Sequence, residues 1–313
     1  MWSIILPIFA IIVSGWILRH FKCVSDELAQ QLMHFVRRIA MPLLVANAFA
    51  MTSWGDIWNW EYIGAFGIPV FGMFIIVMYF LSVVKKQNRA HAAARSHFMC
   101  VGSDVNIFGL AFLYGIFGRK MMVSGALTYL MIFAVFSIAI GLMEMKRSTT
   151  DEGVRTALRT FFFNTLVIGA IVGMLYSLTG WSIPLGVTKY LVMFEYAMVA
   201  TALFATGILI DFTSFQKTIS KHWFAYFWKF VVMPFIVFWV MYTYGIDPMW
   251  AVVGIYVAAF PCPFQALDLT IKYVKDKQLS DCLIDFVETS IPISIILLFF
   301  WSMVIYAYYP SVF

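Results

Sequence analysis

The chain has 313 residues, of which 63% are hydrophobic and only 12% are charged, and its formal net charge is +5. Soluble domains carry about 25% charged residues, so the composition excludes a soluble globular protein, a disordered chain and a nucleic-acid-binding protein. It indicates an all-α integral membrane protein, in which each lipid-exposed span satisfies its own backbone hydrogen bonds.

Ten apolar segments are long enough to cross a bilayer, which takes about 20 residues. The first opens directly after Met1 without a basic region or a small-residue cleavage site, which favours a membrane helix over a cleaved signal. Ser25, followed by the acids Asp26 and Glu27, has the pattern of an N-cap at the start of the second span. The predicted spans are approximately residues 2–20, 30–51, 62–84, 97–117, 121–143, 160–179, 188–210, 223–244, 250–272 and 281–308.

The basic residues are divided unequally between alternate loops. If the first loop lies in the cytoplasm, the cytoplasmic loops hold most of the lysines and arginines, and the outer loops hold only Arg119, Lys120 and Lys189. By the positive-inside rule, this bias predicts that both termini lie outside.

The fourth span carries polar residues beside glycines. Asp104 and Asn106 lie between Gly102 and Gly109, and glycine permits unusual backbone dihedrals and close backbone approach. A carboxylate at membrane depth is costly and by default functional. The alternative is that these polar groups only hold neighbouring helices together.

Three further polar residues lie within or near the spans. Lys229 is either the partner of an anion or a lysine that extends to the membrane surface. Glu195 precedes a run of small residues at 200–207, which is typical of close helix packing. His97, like the other histidines, lies near the end of a span or in its entry and is assigned no role.

The ninth span is interrupted by two prolines, Pro261 and Pro263, one residue apart. Each removes an N–H donor and clashes with the preceding turn, and the carbonyls they free can persist at membrane depth only against protein or a wet cavity. A simple proline kink is the alternative. Gln265 and Asp268, which follow at once, favour a binding site.

The last span has acids on one helical face. Asp281, Asp285 and Glu288 recur at i, i+4 and i+7, and Glu288 is predicted to lie about two turns deeper than Asp281. Asp285, Glu288 and Asp268 are candidate proton or ion carriers. Pairing of the acids with basic residues inside the spans, Lys229 among them, is an equally supported alternative.

The two interrupted spans are placed alike in the two halves of the chain. Residues 66–70 and 231–235 each bring a proline into an apolar span, and the interruptions at 102–109 and 261–268 follow, about five helices apart. A five-helix repeat must insert upside down relative to its partner. The pattern therefore predicts two inverted repeats, residues 1–159 and 160–313, whose broken helices cross near the midplane.

Enzyme and metal motifs are missing from the sequence: it has no Walker loop, HExxH or GxSxG pattern. Its cysteines are scattered, with neither disulfide nor metal-ligand spacing. We expect no catalysis and no cofactor, with H+ or Na+ as the only coupling ions to consider.

Four stretches resemble the auxin efflux carrier family, whose bacterial members include malonate or malate carriers. Residues 32–44 resemble its second helix with Ala-x-Pro, 104–110 its first crossover, 202–207 its Ala-Leu-Phe-x-x-Gly, and 261–273 its second crossover. The sequence departs from the family pattern at four positions: it has Asp104 in place of Asn, Ala111 in place of Pro, Cys262 in place of Thr and Gln265 in place of Asn.

The resemblance implies ten helices in an arrangement like that of sodium/proton antiporters and bile-acid symporters. Helices 1, 2, 6 and 7 would form a scaffold, and helices 3–5 and 8–10 would move against it. It also implies a bacterial inner-membrane location, small organic anions as substrates, and packing as homodimers in many members. An ionised Asp104 would repel such an anion.

The sequence as a whole predicts a secondary or facilitative transporter of a small carboxylate that works by alternating access. The alternatives are the same fold moving a cation or zwitterion, and a membrane sensor that binds its ligand without transporting it. The predicted substrate-binding residues are Asp104, Asn106, Pro261, Cys262 and Gln265.

Overall fold

The computed structural model describes residues 2–145, 149–210, 212 and 215–313, except for the side chains of Gln216, Lys217 and Gln265. Throughout these residues the regular structure is helical, without strands. The helices are α1 (Trp2–His20), α2 (Asp26–Phe35), α3 (Met41–Ala50), α4 (Trp60–Tyr79), α5 (Arg89–Ser96), α6 (Leu110–Phe117), α7 (Met122–Glu144), α8 (Thr150–Phe162), α9 (Thr165–Thr179), α10 (Leu185–Ile208), α11 (Phe215–Phe227), α12 (Met233–Thr243), α13 (Pro248–Ala259), α14 (Phe264–Val274) and α15 (Lys277–Tyr308).

Within the described residues, seven helical segments are long and apolar enough to cross a membrane, or eight if the bent pair α8 and α9 counts as one span. One of these segments, Arg89–Glu144, has 56 residues, whereas α13 alone has 12 and is shorter than a span. The protein is thus a multi-span helical membrane protein. The arrangement as ten helices in two inverted repeats stays a prediction.

Helix α8 lies where the sequence pattern predicts a loop. Thr149 caps its start by accepting a hydrogen bond from the Glu152 N–H at 3.3 Å. Val154 and Leu158 are exposed four residues apart on the same face, and the helix bends by 65° from α9. Helix α9 begins behind the Asn164 N-cap, whereas the sequence predicts a span from about residue 160.

Two helix pairs make close backbone contact through glycines. In the pair α1 and α10, a Cβ on Gly207 would collide with the carbonyl of Ile12. In the pair α3 and α9, a Cβ on Gly169 would come within 2.6 Å of the carbonyl of Pro42. Small residues let membrane helices approach this closely and gain dispersion energy along their length.

The helical backbone stops at both predicted interruptions. The first lies between α5, which ends in the π-helical turn His97–Val101, and the turn Val105–Gly109, which leads into α6. The second lies between the end of α13 at Ala259 and the start of α14 at Phe264. Both interruptions lie in the buried interior of the helical bundle.

Candidate functional site

The first interruption forms without a proline. Gly102 is extended, with φ −61° and ψ 127°, and a Cβ there would lie 2.8 Å from the imidazole of His97. Asp104 then caps the next helical turn: its Oδ1 accepts the Ile107 N–H at 3.2 Å, and its carbonyl accepts the Gly109 N–H at 2.8 Å. A carboxylate at a helix start is favoured by the local dipole, so Asp104 acts as a structural cap.

At the second interruption, side chains satisfy the backbone groups that the prolines leave unpaired. The N–H of Cys262 donates to Ser290 Oγ at 3.0 Å, and Ser294 Oγ donates to the carbonyl of Ala259 at 2.9 Å. The Cys262 thiol donates to the carbonyl of Phe98 at 3.1 Å. The backbone is therefore broken without leaving these polar groups unpaired in an apolar interior.

The two interruptions contact each other directly. The N–H of Asp104 donates to the carbonyl of Pro261 at 2.7 Å. Lys229, which is 1% exposed, donates to Ser103 Oγ at 2.6 Å and to the carbonyl of Ala258 at 3.2 Å. One buried ammonium group thus joins both broken helices, and Lys229 does not extend to the membrane surface.

A cavity of about 690 Å³ opens beside this crossing. At the crossing, the cavity is lined by the polar residues Ser103, Asp104 and Asn106 of the first interruption and by Pro263 of the second. Pockets of about 300–1,000 Å³ hold small ligands, so the volume suits a metabolite of modest size. The aromatic part of the lining consists of Tyr129, Phe133, Phe136, Phe163 and Tyr273.

Charged side chains of both signs line the cavity. Arg37, Arg159 and Lys272 contribute three positive charges, against the carboxylates of Asp104 and Asp268. The charged side chains of the lining thus include one more basic group than acidic groups. Arg159, Asp268 and Lys272 are exposed, whereas Asp104 is buried, so the cavity runs from an open charged end to the buried crossing.

His97 is a lining residue that the sequence pattern does not reveal. It is 1% exposed, and neither ring nitrogen has a hydrogen-bond partner among the described residues. Buried polar atoms almost always have partners, so His97 is a candidate site residue, although both of its nitrogens are covered in this state. The available sequence signal was its position five residues before Gly102, within two helical turns of the interruption.

The start of α14 also faces the cavity. Pro263 is its N-cap, no side chain that the structure describes caps its first turn, and Pro263 and Ala266 both line the cavity. The first N–H groups of a helix together with its dipole form a natural anion site. The other helix start at the crossing is already occupied by Asp104, so α14 provides the open one.

A family model described as membrane transport protein matches residues 2–302. The chain belongs to this family, the auxin efflux carrier family. A search of curated proteins found no match. The family and the multi-span helical fold together show a membrane transporter, which works in a lipid bilayer on a small-molecule substrate.

In this transporter, the five predicted binding residues have different surroundings. Asp104 and Asn106 line the cavity, whereas Pro261 contributes its carbonyl to the contact between the interruptions. Cys262 is buried, with its thiol directed at Phe98. The side chain of Gln265 lies outside the described part of the structure.

The three candidate ion carriers are not together. Asp268 lines the open end of the cavity. Asp285 and Glu288, both partly buried on α15, are not among the described residues that line it. Their role in coupling stays a prediction.

A second polar cluster surrounds Glu195, which does not line the large cavity. Glu195 of α10, which is 2% exposed, accepts hydrogen bonds from Arg119 Nε and from the Tyr114 hydroxyl, each at 2.7 Å. Asn47 Nδ2 donates to its other oxygen at 2.6 Å. A smaller cavity of about 350 Å³ lies beside this cluster. The sequence assigned no partner to Glu195, and the structure shows that its carboxylate accepts hydrogen bonds from Asn47 of α3, from Tyr114 of α6 and from Arg119.

Proposed function

We propose that this transporter moves a small organic anion by alternating access at the crossing of its two broken helices. The supporting observation is the cavity itself, in which Arg37, Arg159 and Lys272 lie along the path to the uncapped start of α14. A carboxylate there would meet positive side chains and backbone N–H groups. The neutral ligand contact would be His97.

The helix pairing supports an inverted-repeat architecture for this mechanism. In the predicted numbering, α1 and α10 are spans one and seven, and α3 and α9 are spans two and six. In two five-helix repeats, span one corresponds to span six and span two to span seven. The contact between spans one and seven therefore corresponds to the contact between spans six and two. Both pairs have the same glycine-mediated backbone contact, which is the relation that a pseudo-two-fold axis requires.

The same pairing favours spans one, two, six and seven as the scaffold. Asn47 and Glu195 belong to this scaffold, whereas Tyr114 and Arg119 follow the first interruption and would move with the crossing. Their hydrogen bonds to Glu195 hold the two parts together on one side. We infer that these bonds separate when the cavity changes the side to which it opens.

The open end of the cavity carries Arg159 and Lys272, which the positive-inside rule assigns to the cytoplasmic side. We therefore infer that the state described is open to the cytoplasm and closed to the outside by the Glu195 cluster. In a bacterial inner membrane, this orientation gives an intracellular anion access to the crossing.

A zwitterion is the second candidate substrate, because the cavity also holds carboxylates. Asp268 and Asp104 could accept an ammonium group while the arginines hold a carboxylate. An amino acid would use both signs of charge, whereas malonate or malate would use only the positive groups. The two candidates therefore differ in their need for the Asp268 charge.

The experiment is uptake by purified protein in liposomes, with malonate, L-malate and neutral amino acids as probes. We expect uptake of at least one carboxylate, reduced at least about tenfold by Arg37→Gln, a loss of the size expected for one charged hydrogen bond. Arg38→Gln is the matched control, because Arg38 is the exposed neighbour outside the cavity lining.

Equal uptake by Arg37→Gln and Arg38→Gln would contradict the assignment of this cavity. Asp268→Asn separates the two substrates: it leaves dicarboxylate uptake unchanged or raises it, and it lowers uptake of a zwitterion. Binding of none of these acids or amino acids by the purified protein would contradict the proposed substrate class.

A further inference from the structure

Lys229 is the one cation in direct contact with both interruptions among the residues that the structure describes. It lies in the π-helical turn Trp228–Val232 between α11 and α12. Its two acceptors, Ser103 Oγ and the carbonyl of Ala258, are oxygens at the two breaks. The described ion pairs do not include Lys229, so it is not the partner of an acidic side chain there.

The carbonyl of Ala258 needs a donor because α13 ends early. In a continuous helix it would accept the N–H of Cys262, four residues on. That N–H donates to Ser290 instead. The Ser103 hydroxyl donates to the carbonyl of Val101, with 3.5 Å between the two oxygens. The lone pairs of the hydroxyl oxygen are therefore left to accept from Lys229.

A freed carbonyl and a hydroxyl from two broken helices are the ligands that secondary transporters offer to a coupling Na+. Here the ammonium group of Lys229 occupies the position between them. An ammonium group and a metal ion both approach an oxygen along its lone pairs. The ammonium group can therefore occupy the place of the ion. Both of these oxygens accept hydrogen bonds from Lys229.

We propose that Lys229 is a tethered cation that takes the place of a coupling Na+ at the crossing, so that this carrier binds and moves its substrate without Na+. The consequence for transport rests on the proposed function, whereas the bridging role of Lys229 does not. Because the charge is covalently attached, it stays at the crossing in every state of the cycle. A sodium gradient would then not drive transport of the substrate.

The bridging role is tested by chemical rescue of the purified protein. Lys229→Ala leaves a space beside Ser103 and Ala258, and we expect its melting temperature to fall by about 5 °C. Ethylammonium chloride is small enough to enter that space and should recover at least half of the loss. Tetramethylammonium chloride, which donates no hydrogen bond, should recover none.

Lys229→Met is the matched variant, because its side chain fills the space and excludes the added amine. Ethylammonium should leave its melting temperature unchanged. Equal responses of the alanine and methionine variants to ethylammonium would overturn the bridging role. If Lys229→Ala does not fold, Ser103→Ala, which removes one acceptor, should still lower the melting temperature of the protein with its lysine intact, and no change would overturn the proposal.

The sodium arm uses the wild-type protein. Its melting temperature should agree within about 1 °C in NaCl, KCl and choline chloride at equal ionic strength, and substrate uptake should agree within about twofold with and without Na+. A sodium-specific stabilisation, or uptake that follows an imposed Na+ gradient, would overturn the proposal. Failure to transport any tested acid would bear on the proposed function alone, because the melting assays need no substrate.

Discussion

The Nε atom of Arg119 lies 2.7 Å from Oε2 of Glu195, and both residues line the smaller cavity. Glu195 is buried whereas Arg119 is about one-third exposed. The carboxylate therefore depends on its partners more than the guanidinium does. This asymmetry sets the expected effects of substitution.

Arg119→Leu should destabilise the protein more than the double substitution Arg119→Leu with Glu195→Leu. The single change leaves a buried carboxylate without its counter-ion, which costs about 3–5 kcal/mol in a fully buried pair and less here because Arg119 is partly exposed. The double change removes that carboxylate. Thermal unfolding in detergent measures both, and a double variant less stable than Arg119→Leu would contradict a counter-ion role.

Glu195→Gln should weaken the Glu195 cluster, because it removes the charge and replaces one of the two acceptor oxygens by a donor. A cysteine placed at Ser124, which lines the smaller cavity, should react faster with a membrane-impermeant maleimide when Glu195→Gln is also present. We expect an increase of about threefold to tenfold, because a charged hydrogen bond becomes a neutral one. An unchanged labelling rate would show that this cluster does not hold the side closed.

Asp104→Asn should have nearly the melting temperature and transport activity of the wild type, whereas Asp104→Ala should have a lower melting temperature. Asparagine keeps the oxygen that accepts the Ile107 N–H, and it is the residue that the resemblance implies at this position. Loss of an N-cap costs about 1 kcal/mol, which lowers the melting temperature by about 2–4 °C in a protein of this size. If both variants lost transport equally, the Asp104 charge would contact the substrate.

His97→Leu separates a ligand contact from a packing role. Neither ring nitrogen has a partner in the described part of the chain, so replacement by an apolar group of similar volume should leave the melting temperature unchanged or raise it. The KM for the transported acid should rise at least about fivefold. His34→Leu, at an exposed position, is the control; a lower melting temperature with an unchanged KM would make His97 a packing residue.

Gly207→Ala should destabilise the pair α1 and α10, because the added Cβ meets the backbone carbonyl of Ile12. Backbone cannot move aside cheaply, and overpacking costs about 1–3 kcal/mol. Gly64→Ala is the control, since a Cβ there meets nothing within 4 Å. Equal melting temperatures for the two variants would contradict the close contact and weaken the inverted-repeat proposal.

Cys23 reports the orientation in the membrane. It is an exposed cysteine in the first loop, which the charge bias assigns to the cytoplasm. An impermeant maleimide should label it in inside-out vesicles and leave it unlabelled in intact cells. A cysteine at Lys189, which is exposed near the start of α10 on the predicted outer side, should show the reverse. Labelling of Cys23 in intact cells would invert the proposed direction of cavity opening.

Both interruptions could be located from local chemistry. Pro261 and Pro263 cannot extend a helix, and Gly102 followed by Asp104 supplies an extended residue and an N-cap. These effects act within a few residues, so they appear in the sequence without any knowledge of packing. The membrane location follows in the same way from long apolar runs.

The residues that hold the crossing together could not be located in that way. Lys229 is 126 positions from Ser103, and Arg119 is 76 positions from Glu195. A polar group in an apolar span costs free energy, so each of these residues could be identified from the sequence as a candidate functional residue. The sequence did not show which residue it contacts. Helix α8 and its bend from α9 were missed because an amphipathic surface helix lacks the apolar run that marks a span.

The sequence by itself determined that this is a membrane protein with two broken spans, because hydrophobicity and proline geometry are properties of short segments. Only the tertiary structure decided that the breaks touch, that Lys229 bridges them and that His97 faces the cavity. The physical reason is that hydrogen bonds and charge pairs act over about 3 Å in space, and helix packing brings together residues that are far apart along the chain.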